Sequence, residues 1–413
     1  MSDPLPKVAT RRMEELVTEL GRVGEQQPGG GLIRFAYDDA WRAAGVLVAR
    51  WMTEVGLQVR TDAVGNVFGR LPGTESASTV LTGSHIDTVR FGGKYDGALG
   101  ILTGLAAIEE LIRTCGRPRK SLELVALCEE ESSRFAADFF GSRAMLGAIG
   151  PDEPDTLRDA DGVTLAAAMR RVGLDPTAIG SARRTDVEAF VELHIEQGRV
   201  LYDEGTQVGI VSAITGLRWL DVTVTGRADH AGATPMDLRL DAMQGAAEMT
   251  QAATALAEAE GRPAVATCGA WQVHPGGVNI VPERVTFSID LRHPVEATLD
   301  RLAGRIRQEC ERIATRRGLE VTLDDTKAVA PAPMDEPLQK VIGEAAEGQG
   351  VSARPMPSGA GHDSQMWAPH VPTAMIFVPS VEGRSHCPEE YTPAEDCAVG
   401  ASVLAGTLRE IAY

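Results

Sequence analysis

Residues Leu81 to Gly100 read LTGSHIDTVRFGGKYDGALG, and the fold can be worked outward from them. The apolar run Thr79-Val80-Leu81 has the character of a buried strand end. It leads to His85, to Asp87 two residues on, and through a glycine-bearing loop to Asp96. Imidazole and carboxylate are donors shared by zinc, manganese and cobalt sites. A His-x-Asp pair at a strand end suits a metal ligand whose second ring nitrogen is held by the neighbouring carboxylate. Gly92, Gly93, Gly97 and Gly100 let the backbone turn sharply and approach an ion. Ile101 to Ile112 then reads as an apolar helix. Ser121 to Leu127 (SLELVAL) reads as a strand running into Glu129-Glu130-Glu131. Strand, helix and strand with polar loops at one end is the α/β pattern that puts chemistry at the carboxyl ends of strands.

Upstream, residues 8 to 20 and Asp38 to Val55 carry helical spacing, with Trp41, Val46, Leu47 and Trp51 expected on the core. Leu57 to Val59 and Val67 to Leu71 read as a strand pair. Downstream, Pro151 to Thr185 is polar and helical only in patches. Ala189 to Leu193 (AFVEL) is another strand, ending at His194 and followed by Glu196-Gln197-Gly198. From Ile214 the pattern changes. Strands are expected at Leu217 to Gly226, Ala264 to Gln272, Val285 to Leu291 and Leu319 to Leu323, with helices at Leu238 to Glu260 and Thr298 to Arg317. The order β-α-β-β-α-β is the ferredoxin-like arrangement. Residues 214–328 are therefore expected to form an inserted α+β domain, and 1–213 with 329–413 the main α/β domain. Ala328 to Pro337, rich in proline, reads as the return linker. A helix at Gln339 to Glu347, a turn at Gly359 to Asp363, a strand at Thr373 to Val378, His386 in the following loop and a helix at Ala394 to Ile411 complete the main domain.

The totals narrow the function. At 413 residues the chain holds two or three domains. A formal charge of -18, from 58 acidic and 40 basic residues, argues against nucleic acid or an anionic membrane as partner. Six scattered cysteines without a CxxC fit a reducing compartment. The first residues lack the apolar core of a signal peptide, and no run approaches the ~20 apolar residues of a membrane span. The expectation is a cytoplasmic protein.

His85, Asp96, Glu130, Glu131, His194 and His386 all fall at or just past strand ends, from four separate segments. A structural zinc site would prefer cysteines. Two divalent ions about 3.5–4 Å apart, sharing one carboxylate, would use five of these six residues. The sixth, one of two adjacent glutamates, is then free to act as a general base. Neighbours on an extended chain point opposite ways, so one could ligate while the other faces water.

The motifs SHIDT, GGKYDGALG, EEESSRF, ELHIEQG, GRADHAGATPM, NIVPE, DLRH, GAGHDS and SHCPEE resemble the hydantoinase/carbamoylase branch of the M20 metallopeptidase-like amidohydrolases, in order and over nearly the whole chain. That branch includes N-carbamoyl-L-amino-acid hydrolases, allantoate amidohydrolases and β-ureidopropionases. The resemblance implies a di-metal, aminopeptidase-like catalytic domain with an inserted lid that also forms a homodimer. It implies two divalent ions, zinc first and manganese, cobalt or nickel as alternatives, held by His85, Asp96, Glu131, His194 and His386. Asp96 would bridge the ions and Glu130 would be the base. Asp87 and His362 would support the ligands. Gln197 would bond the ureido group, Arg292 would clamp the substrate carboxylate, and Asn279 and the Gly361 backbone would complete its orientation. His230 would stabilise the oxyanion, reaching in from the partner subunit. The implied activity is hydrolysis of the ureido C–N bond of an N-carbamoyl-L-amino acid, with allantoate or ureidopropionate as alternative substrates. Cleavage of an N-acyl-amino acid or dipeptide, or a non-catalytic metal-bound binding protein, stand further off.

Overall fold

Ser121–Leu127 is buried at every position, as are Thr79–His85 and Thr373–Val378, while Val187–Ile195 exposes only Glu188. Strands this uniformly buried belong in the middle of a sheet covered on both faces, and the computed structural model, which describes residues 5–27, 31–75 and 78–413, has them there. The chain divides into two compact units. One comprises the residues up to Ser212, Met334–Met356 and Ala360–Tyr413; the other comprises Ala213–Pro333 with Pro357–Gly359.

The sheet of the first unit runs Val208–Ile214, Thr373–Val378, Val187–Ile195, Thr79–His85, Ser121–Leu127, Val67–Leu71, Gln58–Thr61. The second to fifth of these are mutually parallel, and the outer pairings are antiparallel. From Thr79–His85 the chain crosses to Ser121–Leu127 on one side, and the next parallel strand, Val187–Ile195, lies on the other. That reversal of direction opens a crevice at the carboxyl ends of the two strands, where ligands bind in open α/β sheets. The first crossover helix, Ala98–Cys115, is buried almost all round because it packs between the sheet and the helix Ala394–Ala412. Leu99, Leu102 and Leu105 have no exposure, and such side chains contribute about 1.5–3 kcal/mol each on burial.

The second unit is an antiparallel sheet in the order Glu320–Val329, Gly216–Thr225, Arg284–His293, with Val265–Thr267 and Trp271–His274 both paired to Arg284–His293. Leu220, Val222, Val224, Val285, Phe287, Ile289 and Leu291 form its inner face against the helices Ala242–Glu260 and Glu296–Arg317. The strand order is that of the ferredoxin-like arrangement.

Several local expectations change. The Thr79 strand extends to His85 itself. Val46 is 65% exposed, whereas Trp41 and Trp51 are buried; it lies on the outer side of the helix Asp39–Glu54. The single strand expected over Ala264 to Gln272 is two short strands separated at 268–270. The helix expected from Leu238 starts at Ala242, because the Asp241 side chain accepts the N–H groups of Met243 and Gln244 and caps it there. The supposed linker after Ala328 is ordered sheet, since Glu320–Val329 runs into it and Ala332–Pro333 pairs with Ala213 and Ile214.

Candidate metal centre

His85 ends its strand, and His194 is the penultimate residue of the parallel neighbour, so the crevice is flanked by two imidazoles whose ring centres are 5.9 Å apart. Asp96 enters from the loop that starts the crossover helix. Its Oδ1 lies 3.4 Å from His85 Nε2 and 3.1 Å from His194 Nε2, while its Oδ2 lies 3.1 Å from His386 Nε2. His386 Nε2 is also 3.7 Å from Glu131 Oε2. One carboxylate thus serves two donor groups, His85–Asp96–His194 and Asp96–Glu131–His386. Gly97 is required here. It has a φ of +62°, and a Cβ on it would lie 2.3 Å from the His85 ring.

The Nδ1 atoms of His85 and His194 lie 3.0 and 2.9 Å from the backbone oxygens of Asp87 and Ile195. An Nδ1–H donated there leaves a lone pair on each Nε2; that of His194 accepts the Gly97 N–H at 3.1 Å, and both atoms face a carboxylate oxygen. Acceptors facing acceptors at these distances need a cation between them, either a proton or a metal ion. Charge in the cluster points the same way. Burial opposes a charge on His85, but Glu130, Asp96, Asp87 and Glu131 outweigh it and hold its pKa well above the ordinary value. Burial would raise Asp96, yet its bonds to the three histidines hold it well below the carboxylate range. Burial and the neighbouring Asp96 push Glu131 up to about 8. Glu131 Oε1 and Gln197 Oε1 are buried with no hydrogen-bond partner. Hard oxygen and imidazole donors left unsatisfied around one carboxylate fit a divalent cation.

Glu130 Oε2 is 3.8 Å from His85 Nε2, and Glu130, Glu131 and His85 form a third donor group. The two glutamates therefore do not point opposite ways. Their segment is a loop with Glu129 at positive φ, and Asp87 fixes it by accepting the N–H of Glu130 at 3.2 Å and of Glu131 at 3.1 Å. This corrects the role expected of Asp87: its carboxylate is 4.0 Å from His85 Nδ1 and holds the glutamate loop, while its backbone oxygen receives the imidazole. Glu129 turns inward to accept the Phe135 N–H. Gln197 donates its amide to Asp96 Oδ2 at 2.8 Å, so here it binds the shared carboxylate. His362, buried, lies with its ring centre 4.4 Å from that of His194; burial and His194 hold its pKa well below the ordinary value. Gly361 precedes it in the loop leading to the helix Asp363–Trp367.

The remaining candidates belong to the second unit. His230 is exposed, and its Nδ1 accepts the N–H groups of Gly232 and Ala233 at 3.1 and 3.2 Å; its proton is accordingly on Nε2. The Asn279 carbonyl accepts the Ala231 N–H, and His230 pairs with Ile280, so the His230 and Asn279 loops form one tip. Arg292 bonds Asp290 at 2.9 Å and the Gly359 carbonyl at 2.8 Å.

Four polar residues near the centre are absent from the sequence-derived set. Glu192, fully buried, accepts hydroxyls from Ser84 and Ser364 at 2.7 Å each. Asp363 is held by Ser142 at 2.6 Å, and burial and Glu192 push it up to about 8. Ser385 and Glu390 adjoin Asp96. A charged residue inside the apolar run AFVEL was the one available signal for Glu192.

The sequence matches peptidase family M20/M25/M40 over residues 81–410. It is 42% identical to an N-carbamoyl-L-amino acid amidohydrolase of Geobacillus stearothermophilus, covering 97% of this chain and 98% of that one. It is 41% identical to an allantoate amidohydrolase of Bacillus subtilis (strain 168), covering 93% of each. A solved structure of an amidase of the hydantoinase/carbamoylase family from Burkholderia multivorans matches with a TM-score of 0.92 at 35% identity, covering 98% of both chains.

Proposed function

The chain belongs to peptidase family M20/M25/M40 and is a hydrolase acting on the C–N bond of ureido compounds; on that premise we propose that its substrates are N-carbamoyl-L-amino acids. The observation that carries this reading is Asp96, whose two oxygens face separate donor groups with Glu130 alongside. His85, Asp96 and His194 would hold one divalent ion, and Asp96, Glu131 and His386 a second, with zinc the first choice. Such ions lower the pKa of water and polarise a carbonyl. Glu130, half-buried beside His85, carries the proton. Its carboxylate takes one from water as the C–O bond forms at the carbamoyl carbon, and returns it to the nitrogen as the C–N bond breaks. The free amino acid leaves, and the carbamate decomposes to carbon dioxide and ammonia. Gln197, moving off Asp96, and the Gly361 backbone orient the ureido group. His230 offers its Nε2–H to the developing oxyanion.

Arg292 and His230 support a homodimer. Arg292 pairs with Leu217, at one end of a ten-residue ladder whose other end joins Arg284 to Thr225. The His230–Asn279 tip follows Thr225 and precedes Arg284. The eight residue-to-residue steps from 284 to 292 span ~27 Å, several times the length of a small ureido acid. One substrate held by Arg292 at its carboxylate would therefore meet His230 and Asn279 from another copy.

An allantoate amidohydrolase is the second reading, because the Bacillus subtilis relative is as similar as the carbamoylase. Zinc- or manganese-loaded protein, given carbamoyl-L-methionine, carbamoyl-β-alanine, allantoate and acetyl-L-methionine, separates them by ammonia and amine release. Turnover of carbamoyl-L-methionine in preference to the others is expected. Preference for allantoate selects the second reading, and release from acetyl-L-methionine alone sinks both.

A further inference from the structure

Glu390 is 5% exposed and lies in SHCPEE, a segment whose assigned residue is His386. Its Oε1 accepts the N–H of Tyr95 at 2.9 Å and of Asp96 at 3.0 Å, and its Oε2 lies 2.8 Å from the Ser385 hydroxyl. The same hydroxyl is 3.0 Å from Asp96 Oδ2. One carboxylate therefore binds two loops almost three hundred residues apart in sequence, the loop that presents Asp96 and the loop that presents His386. A Cβ on Gly93 would lie 2.1 Å from Glu390 Oε1, so the Asp96 loop is shaped to admit it. Burying a carboxylate costs several kcal/mol unless its oxygens are well satisfied, and three donors from the ligand-bearing loops are what satisfy this one.

We propose that Glu390 is a positioning residue for the metal centre, tying the Asp96 loop to the His386 loop so that both ligands keep their reach to Glu131. Ser385 has one hydroxyl proton and two carboxylates beside it. When Glu390 takes that proton, a lone pair of Asp96 Oδ2 is left for a cation. The effect falls more heavily on one donor group: Asp96 belongs to both, but His386 also depends on the tie, whereas His85 and His194 are anchored by their own strands. Residues of this kind, which hold ligands without touching the ion, change metal affinity by about 10–100-fold.

The proposal rests on the two-ion reading above, and the test separates the two. Full-length protein stripped of metal is titrated with Zn2+ by calorimetry, and amide exchange at Tyr95 and Asp96 is followed in the metal-free state. Wild-type protein should take up two ions. In Glu390→Ala one binding step should weaken about 10–100-fold with the other retained, and the two amides should exchange faster. Glu390→Gln, which keeps the oxygen acceptor, should restore most of both. Should Glu390→Ala not fold, Ser385→Ala removes only the hydroxyl link and should weaken the same step. Unchanged binding in the variants, equal weakening of both steps, or unaltered amide protection in Glu390→Ala overturns the proposal. Uptake of fewer than two ions by the wild type strikes the two-ion reading instead, while the amide exchange still reports on the tie.

Discussion

Replacing Glu130 by glutamine tests the division of labour between the two adjacent glutamates. The backbone N–H of Glu130 is bonded to Asp87, so an isosteric side chain leaves the loop in place. The carboxylate is largely withdrawn from solvent, and that desolvation raises its pKa well above the ordinary value, with His85 opposing and Glu131 reinforcing the shift. That is the tuning expected of a group that must hold a proton near neutral pH. Neither donor group built on Asp96 includes Glu130, so metal content should stay at the wild-type level. Loss of a general acid–base costs about 10²–10⁴ in rate, equivalent to about 3–5 kcal/mol at 1.36 kcal/mol per tenfold. Amino-acid release measured by chromatography gives kcat and KM, and elemental analysis gives metal per subunit. The fall should be in kcat, with KM little changed. A variant that loses an ion, and recovers turnover when metal is raised, would make Glu130 a ligand and hand the proton to Glu131. A drop of less than about tenfold would remove Glu130 from the proton path altogether.

The other outcomes follow from the same geometry. Glu131→Gln and His386→Ala should each reduce uptake to one tightly held ion, whereas His194→Ala should remove the other; identical losses in all three would deny two separate sites. Gly97→Ala, which drives a Cβ to 2.3 Å from the His85 ring, should abolish turnover and lower metal uptake, and a fully loaded, active variant would contradict the packing argument. Mixing His230→Ala subunits with Glu130→Gln subunits should restore about a quarter of wild-type activity, since half the dimers are mixed and each has one intact shared site; no restoration would confine His230 to its own subunit. Glu131 and Asp363 titrate near 8 in the folded chain through burial, and His386 near 9 through Asp96. All three hold more protons folded than unfolded, so their stabilisation is present at low pH and is lost as pH climbs, from about 4 to about 8 for the two carboxyls and from about 6.5 to about 9 for His386. Metal-free protein should melt progressively lower across that window. A bound ion at a hundredfold excess over Kd adds ~2.7 kcal/mol, so the gap between loaded and stripped melting temperatures should widen; a flat metal-free profile would refute the charge argument.

The strand-end pattern was readable because the chemistry interrupts apolar runs. His85, His194 and the glutamate triplet each follow four or more buried positions, and the alternation in Gly216–Thr225 marked the second unit. What escaped was what depends on backbone direction. The His-x-Asp spacing makes the Asp87 carboxylate the partner of an imidazole, but the turn after His85 puts its carbonyl there and frees its carboxylate for two amides. The glutamates were read as an extended pair, and a positive φ at Glu129 turns both toward His85. Glu390 and Asp363 have no local signal because their partners include hydroxyls and amides from distant segments, and Glu192 shows only as a charge inside an apolar run. Val46 was misplaced for a simpler reason, since helical spacing does not say which apolar residue faces out.

The order of the parallel strands carries a consequence for biosynthesis. Chains emerge from the ribosome amino end first and fold in that order. Once Val187–Ile195 has appeared, His85, Asp96 and His194 have all been made, while the second unit is still to come. His386 emerges after Thr373–Val378 has been laid between Val187–Ile195 and Val208–Ile214. On the two-ion proposal, a nascent chain would pass through a long interval in which only the donors of the first group have been made, with the Glu390 that holds the Asp96 loop still to come.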